Sequence, residues 1–271
     1  MRKPKGNFLI ATDWHGNGHQ GREVIFQAER LGIDTIIHLG NFGIKEQSSN
    51  YLGHLQRYLE PFGINLYFLD GNHEHFDKLY KRELLEDGTR FVRDNIFHLP
   101  RGFRWDWNNL SFMAVGGAAS INRFSSASGS AHWDPEEFIT DKDVDKAIEG
   151  GPVDVMFMHD SPADAPNDLV DDDKLQQECV KKYGLTSVAY TYANREQLKA
   201  ITNEVNPRLL FHGHYHKAMY HKYQHAKSQQ HAKIWCINQG TVPLSASSTL
   251  LFDFYRAKSD ISRLKSKDKH K

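Results

Sequence analysis

The feature that most restricts the fold is a repeated order of short apolar runs and amphipathic segments. Residues 8–11 (Phe-Leu-Ile-Ala), 35–39 (Thr-Ile-Ile-His-Leu) and 66–69 (Leu-Tyr-Phe-Leu) are brief, mostly apolar and bounded by turn residues. Such runs read as strands buried on both faces. Between the first two, residues 21–31 set Val24, Ile25, Ala28 and Leu31 on one helical side, and Gly32 supplies a C-terminal stop. Residues 51–59 repeat the pattern with Leu52, Leu55 and Leu59. A β–α–β–α–β order implies a parallel sheet with helical crossovers. Ligands of such sheets bind outside the carboxyl ends of the strands, and each of these three runs ends in a polar or glycine-containing turn.

The rhythm changes after Phe91. Trp105-Asp106-Trp107 and residues 110–115 flank Asn108-Asn109, which predicts a hairpin. Residues 153–158 and 209–211 read as further buried strands, 195–205 as a helix, and 234–237 and 250–254 as closing strands. Residues 168–182 form a polar, partly helical insertion, and the Ser/Gly-rich stretch 120–133 reads as a long loop. The second half is expected to make a mixed second sheet within one domain, 1–255. The remainder, 256–271, carries seven Lys/Arg against two Asp and is expected to be largely disordered.

A chain of 271 residues can bury a large core without disulfides. Its 34 basic and 34 acidic residues exclude a strongly basic nucleic-acid binder and an acidic disordered protein. The two cysteines, Cys179 and Cys236, fit neither a disulfide framework nor a CxxC metal motif, and read as reduced thiols. No stretch approaches the ~20 apolar residues of a membrane span, and the run at residues 8–11 is too short for a signal peptide. A cytoplasmic protein without membrane partners is expected.

Metal-capable groups recur at the ends of the apolar runs. Asp13-Trp14-His15 follows the first; if the strand continues, Asp13 and His15 face one side. A carboxylate beside an imidazole suits zinc, manganese or iron, although alone the pair equally fits an ordinary turn. Gly71-Asn72-His73-Glu74 follows the third. His159 ends the 153–158 run, and His212-Gly213-His214-Tyr215-His216 ends the 209–211 run, with His214 and His216 again alternating. Four strands that each end in such a group, in this chain order, point to one shared site.

That order resembles the calcineurin-like metallophosphoesterase superfamily, whose pattern is DxH, GDxxD, GNH followed by Asp or Glu, a lone His, and GHxH. The likeness runs from about Phe8 to Val242. The stretches His38-Leu39-Gly40-Asn41-Phe42-Gly43 and Gly116-Gly117-Ala118-Ala119-Ser120 are similar to a bacterial and phage branch. The resemblance implies a four-layer α/β sandwich of two mixed β-sheets flanked by helices. It implies one metal on Asp13, His15 and His216, a second on Asn72, His159 and His214, and a bridging ligand at position 41. The ions would be divalent or trivalent: Mn²⁺ first, with Fe, Zn or Ni as alternatives. Together they would clamp phosphate oxygens and activate water. His73 would protonate the leaving group, a step that contributes about 10²–10⁴-fold, with Asp70 or Glu74 as candidates to orient it.

The sequence departs from the pattern at the bridge. Asn41 stands where the family has Asp, and Ile44 replaces the second Asp of GDxxD. A carboxylate offers two anionic oxygens to two cations, whereas an amide offers one acceptor and two N–H donors. Weaker metal binding and reduced turnover are expected. Asn41 is open to three readings: an engineered brake, a natural change that lowers or alters activity, or conversion to a binding module. The function expected first is a binuclear phosphodiesterase for small phosphodiesters such as cyclic nucleotides. The alternatives are a single-stranded nucleic-acid nuclease anchored by the basic tail, and a catalytically degenerate nucleotide-binding domain. Trp14, Arg123, Trp133 and Tyr215 are candidate substrate contacts through stacking or phosphate pairing, alongside ordinary loop packing. Oligomeric state has no sequence signal.

Overall fold

The computed structural model describes residues 1–44, 48–124, 134–239 and 250–269. The strands in chain order are β1 (Phe8–Ala11), β2 (Thr35–His38), β3 (Asn65–Phe68), β4 (Arg90–Arg93), β5 (Ile96–His98), β6 (Phe103–Trp107), β7 (Leu110–Val115), β8 (Val155–Met158), β9 (Leu209–His212), β10 (Met219–Gln224), β11 (His231–Cys236) and β12 (Leu250–Phe252). They form two six-stranded sheets, ordered β12-β1-β2-β3-β5-β4 and β10-β11-β9-β8-β7-β6. In each, four parallel strands are flanked by one antiparallel strand on either edge. The two mixed sheets and flanking helices are the architecture that the resemblance implied.

The helices are α1 (Gly18–Arg30), α2 (Ser48–Phe62), α3 (Phe76–Tyr80), α4 (Asp141–Glu149), α5 (Asp173–Tyr183), α6 (Leu185–Val205) and α7 (Phe254–Asp268). Strand alternation sorts the apolar side chains into layers. In β1, Phe8 and Ile10 join the core between the sheets, with Phe112, Phe157 and Phe211. Leu9 and Ala11 face the other way, against Val24 and Ile25 of α1 and Leu52 and Leu55 of α2. On the far side, Met156, Met158 and Leu210 pack on Leu198, Ile201 and Val205 of α6. The central strands are therefore buried on both faces, which is why they lack polar alternation. The hairpin β6–β7 turns at Asn108 (φ 51°) and Asn109 (φ 60°). Both residues are left-handed, as a type I′ turn requires.

The carboxy-terminal segment departs from expectation. Residues 256–268, expected to lack order because of their charge, are helical. Asp253 caps α7 by accepting from the Arg256 N–H. Ala257, Ile261 and Leu264 line up at helical spacing and close the inter-sheet core. The basic side chains occupy the remaining faces, so net charge concealed an apolar stripe. The apolar stripe of α7 is thus part of the inter-sheet core. Residues 125–133, most of the expected long loop and including Trp133, lie outside the described residues.

Candidate metal centre

The expected residues converge where the carboxyl ends of both sheets meet. Asp13, His15 and His216 bring one ligand atom each within 4.8 Å of one another. The imidazole Nε2 atoms of His15 and His216 are 3.3 Å apart, and His216 Nε2 is 3.4 Å from Asp13 Oδ1. His159 Nε2 lies 3.3 Å from Asn72 Oδ1 and 3.9 Å from Asp13 Oδ1. The His214 ring is 5.1 Å from that of His159. The first sheet supplies Asp13, His15, Asn41 and Asn72; the second supplies His159, His214 and His216.

Strand alternation is not what aligns Asp13 with His15, or His214 with His216. β1 ends at Ala11 and β9 at His212. Asp13 (φ 56°), His15 (φ 49°), Asn41 (φ 54°), His214 (φ 70°) and His216 (φ 51°) instead take left-handed backbone. Asp, Asn and His tolerate that region better than most side chains. Each still carries strain of about 1–3 kcal/mol, of the kind that collects at functional sites. The chains also approach closely. A Cβ on Gly213 would sit 2.0 Å from Thr12 Oγ1, and one on Gly40 would sit 2.4 Å from His159 Nδ1, so only glycine fits at either place.

The polar surroundings aim the ligand atoms. Asp13 Oδ2 accepts from Thr12 Oγ1 (2.8 Å) and the His214 N–H (2.9 Å), which leaves Oδ1 turned to the imidazoles. Burial would raise this carboxyl, but the His216 hydrogen bond and the His159 and His216 imidazoles hold it well below the usual carboxylate range. His159 Nδ1 donates to the Leu39 carbonyl (2.6 Å), so Nε2 presents its lone pair to the site. Burial keeps that imidazole neutral, pushing it down to about 4 against the pull of Asp13. Asn72 Nδ2 donates to Ser120 Oγ (2.7 Å), which donates to the buried Glu137 (2.7 Å); Asn72 Oδ1 therefore faces inward. Outer partners of this kind fix ligand orientation in metal sites.

Asn41 is oriented the opposite way. Its Oδ1 accepts from the His73 backbone N–H (3.0 Å), and its Nδ2 donates to Asp13 Oδ1 and Asn72 Oδ1, at 3.1 Å each. A backbone N–H can only donate, so the atom facing it must be the oxygen and the NH₂ must point into the site. The donor set of Asp13, His15 and His216 fits a divalent cation. Asn72, His159 and His214 suit a second ion, but the inward NH₂ of Asn41 opposes a bridge between them.

Other expected roles change on inspection. Trp14 is 1 % exposed, edge-on to His38 (4.6 Å) in the core beneath α1 and α2, and is out of reach of a substrate. Arg123 Nη1 is committed to Glu137 (3.1 Å) and the Tyr190 hydroxyl (3.0 Å), behind the Ser120 relay. Tyr215 donates its hydroxyl to Asp160 (2.7 Å) while its ring flanks that of His214 at 5.1 Å. Asp70 does not serve His73: it pairs with Arg101 (2.8 Å) and His98 (3.1 Å). Glu74 instead accepts from the backbone N–H groups of Phe42, Gly43 and Ile44 (2.6–3.1 Å), and so holds the Asn41 loop. His73 sits exposed at the rim, its ring 5.5 Å from that of His15. Ser120, Glu137 and the Leu39 carbonyl were missed by sequence reasoning. Cys179 and Cys236 are free thiols. Among the described residues no helix is long and apolar enough to cross a membrane.

Two mixed sheets thus bring several histidines and one carboxylate, Asp13, together at their carboxyl ends. The sequence model of the family described as calcineurin-like phosphoesterase matches residues 6–218, and the chain belongs to that family. Among solved structures, the protein TT1561 of Thermus thermophilus is similar at 12 % identity and TM-score 0.52, over 86 % of this chain and 89 % of that one. A dimetal phosphatase from Danio rerio gives 11 % identity and TM-score 0.49 over 88 % of each chain. The first of these likenesses speaks to the fold alone. No curated protein matches.

Proposed function

We propose that the chain is a metal-dependent phosphodiesterase for small phosphodiesters, cyclic nucleotides among them, with turnover reduced by Asn41. The observation that carries this is the convergence of Asp13, His15 and His216 within 4.8 Å, beside Asn72 and His159 with their lone pairs aimed inward. Bound divalent ions, Mn²⁺ first, supply Lewis acidity and lower the pKa of water. The protein's own residues do the rest. Asp13 and the imidazoles fix the positions of charge, and the Ser120–Glu137 relay keeps Asn72 from rotating. His73 at the rim donates a proton to the leaving oxygen. Arg123 is tied to Glu137, so it offers no fixed cation for the second charge of a monoester, and a singly charged diester suits the site better.

Asn41 motivates a second reading, a degenerate binding domain. Its NH₂ already satisfies Asp13 Oδ1 and Asn72 Oδ1, as a cation would. The nuclease alternative is untouched by the packing of α7, which buries none of its Lys or Arg side chains.

The test is hydrolysis of bis-p-nitrophenyl phosphate and p-nitrophenyl phosphate with Mn²⁺, comparing this chain with Asn41→Asp. Diester hydrolysis that rises sharply in Asn41→Asp supports the proposal. Equal rates in both would remove Asn41 from the metal set, and silence in both would favour the binding reading.

A further inference from the structure

A cavity of about 540 Å³ opens on one side of His214. It is lined by Asp160, His214 and Tyr215 together with Leu169, Val188 and Tyr192. Two helices build it in an unusual way. The carboxyl half of α6 is core, through Leu198, Ile201 and Val205. The amino half runs past the core clusters: Leu185 is 71 % and Tyr192 53 % exposed. None of the residues of α5 is buried, and its Val180 is 37 % exposed. Apolar side chains gathered without a core beneath them mark a binding surface more often than chance.

Asp160, Tyr215, Arg195 and Thr191, four of the polar residues at this cavity, are already engaged within the protein. Asp160 accepts from Tyr215 and the Ser161 N–H, Arg195 donates to the carbonyls of Ser161 and Pro162, and Thr191 donates to the Val188 carbonyl. A nucleobase packed against those four residues and the apolar wall would leave donors and acceptors unpaired, which costs affinity. An uncharged hydrocarbon group would lose nothing. The volume lies within the ~300–1,000 Å³ of small-molecule sites and exceeds the ~150 Å³ that holds benzene.

We infer that this cavity is the subsite for one ester substituent of the substrate, and that the group it takes is apolar, an aryl or branched alkyl group of up to about two fused rings. The inference rests on the phosphoesterase reading, because His214 joins the cavity to the metal centre. It narrows the substrate class: phosphodiesters of apolar alcohols ahead of cyclic nucleotides.

Two titrations separate the cavity from the metal centre. The first measures 1-naphthol binding to the full chain in EDTA, by its fluorescence. The second compares 1-naphthylphosphonate with methylphosphonate in Mn²⁺, by calorimetry. Both are repeated with Val188→Glu, which puts a charge in the wall, and with Tyr192→Ala, at an exposed position that the fold tolerates. The expected result is naphthol binding without metal, and about a tenfold or greater preference for the naphthyl phosphonate. Both effects should shrink in both variants, with melting temperatures unchanged. Equal affinity for the two phosphonates, a naphthyl preference untouched by either variant, or displacement of naphthol by adenosine 3′,5′-cyclic phosphate at lower concentration than by 1-naphthylphosphonate would overturn the inference. Naphthol binding with no phosphonate binding in Mn²⁺ would strike the phosphoesterase reading itself, and with it the assignment of the cavity to an ester group.

Discussion

Two asparagines at the centre illustrate how much depends on which way an amide faces. Asn72 is turned oxygen-inward by Ser120, and Asn41 nitrogen-inward by the His73 N–H. Ser120→Ala should therefore weaken Mn²⁺ binding by roughly the 10–100-fold typical of losing an outer-shell partner, with the fold intact. Calorimetric titration would show it, and an unchanged affinity would mean that Asn72 is held by other contacts. Asn41→Asp should strengthen binding by at least a similar factor, since a carboxylate oxygen replaces a donor. At this scale the residues that converge were legible in the sequence as a set, because each follows an apolar run. Their supports were not: Ser120 lies 48 residues from Asn72, and Leu39 lies 120 from His159. Arg123 misled for the same reason. An arginine in a Ser/Gly-rich stretch looks like an anion site until its buried partner Glu137 is seen.

Among the elements, the doubly buried strands were legible to within a residue or two, since continuous apolar runs have few other uses. The β4–β5 pair was not. β4 has the sequence Arg-Phe-Val-Arg and β5 is three residues long, too short for a period. α4 was also missed, although its Thr140–Asp143 capping box is written in the sequence. The outer half of α6 and all of α5 lack a core face to give them a pattern. α7 was misjudged because composition was read before spacing. Its end is pinned by Asp268, which pairs with Arg208 and accepts from His231 Nδ1 at 2.8 Å. Burial would raise the Asp268 carboxyl, yet the His231 and Arg208 hydrogen bonds hold it down, at about 2. A carboxyl depressed on folding stabilises above its unfolded value near 3.8 and loses that contribution as pH falls toward 2. Amide exchange in α7 should therefore accelerate across that window in the parent chain and much less in Asp268→Asn. Leu264→Ala should cost about 2–5 kcal/mol if α7 is core, whereas a dispensable tail would give a denaturation midpoint indistinguishable from the parent's.

For the molecule as a whole, the two sheets are joined by an aromatic core. Phe8 stacks on Phe252 (4.5 Å) and meets Phe112, Phe157 and Trp107 edge-on (5.6–6.2 Å). Phe8→Ala should destabilise by about 3–5 kcal/mol, visible as a lowered denaturant midpoint, with both sheets unfolding together. The same seam holds the ligands, and His15 and His216, 201 residues apart in the chain, come from opposite sheets. An ion held between them would act as a reversible staple across 201 of the 271 residues. Its effect would come from binding the folded chain and not the unfolded one. At a free concentration 100 times its dissociation constant it would add about 2.7 kcal/mol. Metal supply would then set not only the rate of this protein but also how long each copy survives proteolysis, because a chain starved of metal opens more often along the line where its two sheets meet.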